Sequence, residues 1–491
     1  MIFSSFQFIL VFLPVTLLIF HLFRFFISGK FALGFLSLSS CFFYAYWNPK
    51  YLVLLVVSIL GNYFFLKTIE KEKKKIFLTL GLFFNLTILI YFKYRYFILE
   101  NVSYIYNHDI PILKLIIPLG ISFFTFQQIS LLIDTYQKKT KCKSFFEFIF
   151  FVSFFPQLIA GPIVLFDEVK KEIKQLISNK KFNLSNLNIG FSIFTIGLFK
   201  KIAIADTIAI FVDKGYSVSN NLTFIESWLL TVGYFFQIYF DFSGYSDMAI
   251  GLGLLFGFVL PLNFNNPYNA TSMIDYWKRW HITMTRFFMT YIYYPSVFWI
   301  AGKFNEIFGK SYLFLSVATS IFITFFLSGI WHGANWKFVI FGLINALGLV
   351  INHYWVQKEL PFNKFLGWFL TMLTVLISLI FFRAENIQNA LLIIKTMFSF
   401  NQTLLPQFLY KYSSLLGMEA AYLNFLSTGT YAINFILILC LSILLTFLLP
   451  NYANKLKKIN FSWKFSIFIS SLFLIALGLL ERPQSFIYFE F

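Results

Sequence analysis

The chain has 491 residues, 59% hydrophobic and 12% charged, with a mean hydropathy of +0.75. Soluble globular proteins carry roughly a quarter charged residues, so an ordinary soluble enzyme is excluded. The net charge of +18 sits mainly in short loops, the positive-inside pattern, and no aromatic-basic surface domain exists to bind nucleic acid. The expected class is an all-α, polytopic integral membrane protein lying in a lipid bilayer. Cys41, Cys142 and Cys440 are isolated, which argues against a disulfide framework or a thiolate metal site, and no metal is expected.

The first apolar run, 6–27, has neither a basic leader nor a small-residue cleavage site and reads as a retained helix. Runs 31–47 and 51–66 precede the basic loop Lys67–Lys75, which belongs in the cytoplasm. Counting back three crossings places the N-terminus outside. Run 76–92 returns outward, with Lys93 and Arg95 placed to snorkel to the interface. Residues 111–133 form a stretch starting at Pro111 and interrupted by Pro118 and Gly120.

Basic loops at Lys138–Lys143 and 167–181 flank only 145–166. Two successive cytoplasmic loops cannot bracket one complete crossing, and the prolines and glycine of Phe154-Phe-Pro-Gln-Leu-Ile-Ala-Gly-Pro162 break a helix. The stretch therefore reads as re-entrant or horizontal. Broken backbone at membrane depth survives only when buried in protein or lining a cavity, which makes Pro156, Gln157, Gly161 and Pro162 candidate cavity-wall residues.

Spans follow at 187–212 and 224–240, then a Gly-rich run, Gly244–Gly257, and a polar aromatic connector, Asn263–His281. Further spans lie near 283–301, 312–331, 336–355 and 365–382. Residues 384–430 are more polar and read as interfacial helices with an extracytoplasmic loop. The last spans, 431–449 and 464–480, are joined by the basic loop Lys455–Lys458, so the C-terminus exits outside. The expectation is roughly a dozen transmembrane helices plus re-entrant or horizontal pieces in one membrane domain, 1–491. It divides into N-terminal helices (1–110), a motif-bearing core (111–383) and a C-terminal part (384–491).

Three constellations could carry chemistry. In Ser328-Gly-Ile-Trp-His-Gly-Ala-Asn-Trp336, helical spacing would put His332 and Asn335 on one face. Gly333 would leave room for a substrate, and Trp331 and Trp336 would wall off lipid. An apolar setting disfavours the charged imidazolium, so the neutral ring could act as a base toward a hydroxyl. A histidine hydrogen-bonded between helices is an equal reading of the residues alone.

In Asp275-Tyr-Trp-Lys-Arg-Trp-His281, a helix would stack Trp277 on His281, and Arg279 on Arg286. Lys278, Arg279 and Arg286 suit the phosphates of a carrier, although an interfacial anchor is the favoured reading of the residues alone. In Tyr239-Phe-Asp-Phe-Ser-Gly-Tyr-Ser-Asp247, Asp241 and Asp247 bracket a Ser-Gly break and need partners in a low dielectric, either His281, an arginine or a structural ion pair. Gly253 and Gly257 suggest close helix packing. Walker, HExxH and GxSxG motifs are absent from the sequence.

Together with Gly120-Ile-Ser-Phe-Phe-Thr-Phe-Gln127, Asn263-Phe-Asn-Asn-Pro-Tyr268, Phe381-Phe-Arg-Ala384 and Phe486-Ile-Tyr-Phe-Glu-Phe491, these stretches resemble, in order, the membrane-bound O-acyltransferase family, specifically its bacterial alginate and peptidoglycan O-acetylation branch. The resemblance implies a helical core with a tunnel, His332 as the catalytic base and His281 as a second residue important for activity. It also implies no bound cofactor, with acetyl-CoA or another cytoplasmic acyl thioester as donor. The acetyl group would cross the bacterial inner membrane to an extracytoplasmic acetyltransferase partner that decorates an envelope polysaccharide, peptidoglycan ahead of an alginate-like exopolysaccharide.

One departure is Phe287-Phe-Met-Thr-Tyr-Ile-Tyr-Tyr-Pro-Ser-Val297. Thr290 stands where relatives carry an acid, and the glycines after Pro295 are missing, which puts a local loop in question. The rival readings are teichoic-acid D-alanylation from a carrier protein and a non-enzymatic transporter or flippase. The transporter predicts inverted repeats, which the sequence does not display.

Overall fold

Among the described residues the long apolar runs become helices, because a backbone in an apolar setting must bond its own amides and carbonyls. The computed structural model describes residues 1–107, 115–178, 183–219, 222–399, 429–448, 462–480 and Ile487, and among these no strand occurs. Six helical runs among them are long and apolar enough to cross a bilayer: Gln7–Ile27, Pro49–Glu72, Lys75–Tyr106, Leu313–His332, Trp336–Gln357 and Lys364–Arg383. Two compact units are distinguished. The first takes Met1–Leu198, Gly244–Asn263 and Leu456–Pro483, and the second takes Phe199–Ser243, Phe264–Lys455 and Gln484–Phe491.

The first unit opens with α1 (Gln7–Ile27), α2 (Gly29–Ala45), α3 (Pro49–Glu72) and α4 (Lys75–Tyr106). Ser28 caps α2 by accepting from the Phe31 amide at 3.4 Å, and Asn48 caps α3 from Lys50 at 3.0 Å with Pro49 in the first turn. The predicted basic loop shrinks: α3 runs on to Glu72 and ends at Lys73, whose φ of 54° is left-handed. Helix α4 continues well past the predicted end at residue 92. Lys93 does not snorkel outward. It is 7% exposed and donates to Ser122 Oγ at 3.3 Å, because a polar partner on α5 (Ile121–Tyr136) lies within reach. Buried amides fasten the same helices. Asn62 and Asn85 exchange hydrogen bonds of 3.1 and 2.6 Å between α3 and α4, and Gln128 of α5 donates to Ser58 at 3.0 Å.

Helix α5 begins after Gly120, whose φ of +70° and closeness to the Leu158 carbonyl leave no place for a side chain. Pro111, the predicted start of that stretch, lies outside the described residues. The stretch 145–166 is broken as expected, into the nine-residue α6 (Phe145–Ser153) and the single turn α7 (Phe155–Leu158). Both are far short of the roughly 20 residues a crossing requires. The segment 167–181 was expected to be a loop. Its larger part is instead α8 (Phe166–Ile177), which buries Phe166, Val169, Ile173 and Leu176 at helical spacing, and 179–182 lie outside the described residues.

Helices α9 (185–217) and α10 (Phe224–Leu255) divide their residues between the two units. The expected Ser-Gly break does not occur, because Ser243 and Gly244 lie inside the uninterrupted α10. The glycines serve close approach instead, and at other positions than Gly253 and Gly257. Gly251 meets the backbone of Gly190 and Phe194, and Gly197 meets that of Gly244 and Met248. Gly253 faces Phe258 and Leu260 of its own return, and Gly257 turns the chain with a φ of +87°.

The second unit adds α11 (Met273–Trp277), α12 (282–308), α13 (Leu313–His332), α14 (Trp336–Gln357), α15 (Lys364–Arg383), α16 (Ile387–Met397) and α17 (Gly429–Leu448). The segment 287–297 is helical, as the expected span near 283–301 requires. A widened turn at Met289–Tyr293 precedes Pro295 and accommodates the amide that proline lacks. Gly329 and Gly342 let α13 and α14 pack backbone against backbone. Helix α18 (Trp463–Gly478) belongs to the first unit. Residues 400–428, the loop Lys455–Lys458 and, apart from Ile487, the motif Phe486–Phe491 lie outside the described residues.

Candidate active site

Helix α13 ends on His332, which is 4% exposed. Gly333 then adopts extended backbone (φ −172°), and Asn335 opens α14 as its cap, accepting from the Lys337 amide at 3.0 Å. His332 and Asn335 therefore do not share a helical face. Asn335 is exposed and spends its side chain on the cap. Gly333 leaves no room for a substrate, because the Phe338 ring fills the space beside it. Trp331 is buried at 4% exposure, whereas Trp336 is 51% exposed, so one tryptophan of the pair encloses the histidine.

Aromatic rings hold the imidazole. Trp331 lies 4.8 Å from it between centroids, Phe382 5.1 Å and Phe341 5.6 Å, the last at 89°. Lys337 Nζ donates to the Ala384 carbonyl at 2.6 Å, which ties the start of α14 to the Phe381–Ala384 segment and brings Phe382 over the ring. Beside His332 is a narrow cavity of about 10 Å³, lined among others by Tyr276, Trp277, Phe341, Asn345, Ser378 and Phe382. That is roughly the space one water requires. Asn345 Nδ2 donates to the Phe341 carbonyl and Ser378 Oγ to that of Val375, both at 2.8 Å. Sequence reasoning missed Asn345 and Ser378. Their signal was the one used for His332, a polar side chain inside a long apolar run.

His281 is fully buried and lies in the bend between α11 and α12, with left-handed backbone (φ 42°, ψ 52°). The Phe242 ring stands edge-on to it at 4.6 Å, and Trp331 lies 5.9 Å away. Trp331 thus touches both histidines. The bend overturns the expected helical stacking: Trp277 ends one helix, His281 precedes the next, and Arg279 and Arg286 fall on opposite sides of the break. Arg279 pairs with Asp275 at 2.8 Å, Lys278 is exposed, and neither Lys278, Arg279 nor Arg286 lines the cavity.

The acidic pair separates. Asp241 joins Lys201 (2.5 Å) in a buried cluster with Asp206, whose own contact to Lys201 is 2.7 Å, and accepts from the Ile487 amide at 2.9 Å. Of the three partners anticipated for Asp241, the structural ion pair is present. Asp247 lies in the first unit, buried where α10 packs on Gly197. Pro156, Gln157, Gly161 and Pro162 are also buried in the first unit. Gln157 Nε2 donates to the Phe151 carbonyl at 2.6 Å, and Gly161 packs on the backbone of Pro156 and Gln157.

Comparison with known proteins places this geometry in a family. Residues 143–394 match the membrane-bound O-acyltransferase family. The chain is 36% identical to the peptidoglycan O-acetyltransferase of Helicobacter pylori, over 100% of this chain and 98% of that protein. It is 34% identical to the probable alginate O-acetylase AlgI of Pseudomonas putida, over 86% of this chain and 84% of the relative. The teichoic acid D-alanyltransferase of Streptococcus thermophilus is 29% identical over 54% of this chain and 68% of its own. The chain is thus a multi-pass membrane enzyme, an O-acyltransferase, and it belongs to the membrane-bound O-acyltransferase family.

Proposed function

We propose that this enzyme takes an acetyl group from a cytoplasmic thioester, acetyl-CoA, and passes it across the bacterial inner membrane for O-acetylation of peptidoglycan. The reading is carried by the similarity to a peptidoglycan O-acetyltransferase along nearly the whole of both chains. Both termini are extracytoplasmic, and an exported acetyltransferase receives the group and decorates the glycan. His332 is the general base. Its imidazole takes the proton of the acceptor hydroxyl as oxygen attacks the thioester carbonyl, and returns it to the departing thiolate. Enclosure by Trp331, Phe341 and Phe382 supports this role, since a ring held in one orientation at the edge of a cavity is positioned to take a proton from a bound hydroxyl. His281 supports the site through the shared Trp331 ring. Pro156, Gln157, Gly161 and Pro162 wall a cavity of the first unit.

The test is to delete the protein and measure ester-linked acetate separately on peptidoglycan and on exported polysaccharide, then restore wild type or His332→Ala. The expected result is loss of acetate from peptidoglycan, restored by wild type. His332→Ala should lower transfer by roughly 10²–10⁴-fold, the range for losing a general base, at unchanged membrane level. Loss confined to exported polysaccharide would move the acceptor to that polymer. Loss of ester-linked D-alanine instead would favour the D-alanylation reading, which the partial match to a teichoic acid D-alanyltransferase supports. Normal acetylation with His332→Ala would refute the assignment of the base.

A further inference from the structure

Trp277, the last residue of α11, lines the cavity beside His332 and is 6% exposed. Its indole Nε1–H is buried and makes no hydrogen bond among the described residues. The ring is held edge-on by Phe325 at 4.9 Å and by Tyr276 at 5.5 Å. Buried donors are nearly always bonded, and a native exception needs an explanation. The polar side chains that share the cavity wall do not accept from this donor: Ser378 and Asn345 each donate to a carbonyl of their own helix, Val375 and Phe341, and the indole N–H bonds to neither. The cavity thus combines, in one wall, the His332 imidazole and a residue with an uncommitted N–H, around space for about one oxygen-sized group.

Acyl transfer requires such a donor. When a hydroxyl oxygen bonds to the thioester carbonyl carbon, the π pair moves onto the carbonyl oxygen, and a positioned N–H there lowers the barrier. We propose that the Trp277 indole N–H receives this oxygen, with His332 holding the proton removed from the hydroxyl. Collapse then re-forms the carbonyl, breaks the carbon–sulfur bond, and sends the proton from His332 to the thiolate. Trp277 is neither oxidised nor protonated in any step. The inference rests on the reading of His332 as base, and it adds the electrophilic half of the site.

The experiment uses membranes containing the full chain together with the exported acetyltransferase, acetyl-CoA as donor and glycan strands as final acceptor, with thiol release and ester formation followed together. Trp277→Phe keeps an aromatic ring and deletes the N–H. It should lower kcat by roughly 10²–10³-fold, the range for removing one oxyanion donor, and leave KM for acetyl-CoA unchanged. A wild-type kcat overturns the proposal, and so does a change confined to KM. His332→Ala in the same assay separates the two ideas. If only Trp277→Phe is active, the oxyanion donor is wrong and the base stands; if His332→Ala is active, the underlying reading fails. Where the phenylalanine variant does not accumulate, Trp277→His, which carries a ring N–H, is compared with Trp277→Leu. Histidine should be faster by roughly tenfold or more, and equal rates overturn the proposal.

Discussion

Asn62 and Asn85 meet between α3 and α4 with both amides used. Each donates to the other, and each also donates to a carbonyl of its own helix, Ser58 at 2.9 Å and Gly81 at 2.8 Å. The cavity beside His332 is built on opposite terms, with Trp277's indole N–H buried and left without a partner among the described residues. An amide pair that satisfies itself holds helices together and has nothing left for a substrate. A site that handles a passing oxygen must keep hydrogen-bonding capacity open, and it does so at a cost in stability. The Lys201–Asp206–Asp241 cluster stands with the amide pair, since its charges are directed at one another.

Mutations can break this contrast at different depths. The largest stability effect is expected for Lys201→Met, which leaves two buried carboxylates without their ammonium. Breaking such a cluster costs about 3–5 kcal/mol, read as a lower thermal midpoint of the purified protein. A midpoint equal to wild type would show that the cluster does not hold the unit together. Next is Asn85→Leu, which strands Asn62 and should cost about 1–3 kcal/mol. The double variant Asn62→Leu/Asn85→Leu should recover most of that, with transfer per folded molecule unchanged. Transfer that falls in the double variant would place the pair in the reaction after all. The smallest effect belongs to Asn335→Ala, about 1 kcal/mol for a lost cap with a wild-type transfer rate. A rate loss there would return Asn335 to the chemistry.

Hydropathy made the long helices and the position of His332 legible, because both depend on which residues tolerate an apolar setting. The bend at Lys278–His281 was not. It contains neither glycine nor proline, so Trp277–His281 reads as continuous helix. The left-handed His281 is set by contacts from Phe242 and Trp331, which are remote in sequence. Glycine misled in both directions. Gly244 looked like a break and is a point of helix contact, whereas Gly333 looked like open space and is occupied by Phe338. In each case the deciding atom belongs to a residue that a spacing rule does not count. Lys93 misled for the same reason, since its partner Ser122 lies on another helix.

The three-residue link between α13 and α14 bears on how the enzyme is made. Two apolar helices of 20 and 22 residues, joined so tightly and packed through Gly329 and Gly342, are suited to entering the bilayer as one hairpin. Contacts this local form early. His332 would then be in place as soon as the hairpin closes, while Trp277 and His281 come from upstream segments and Phe382 from the helix that follows. On this order of assembly, damage to those distant segments strips the histidine of its surroundings without displacing it, giving a protein that inserts normally and does not turn over.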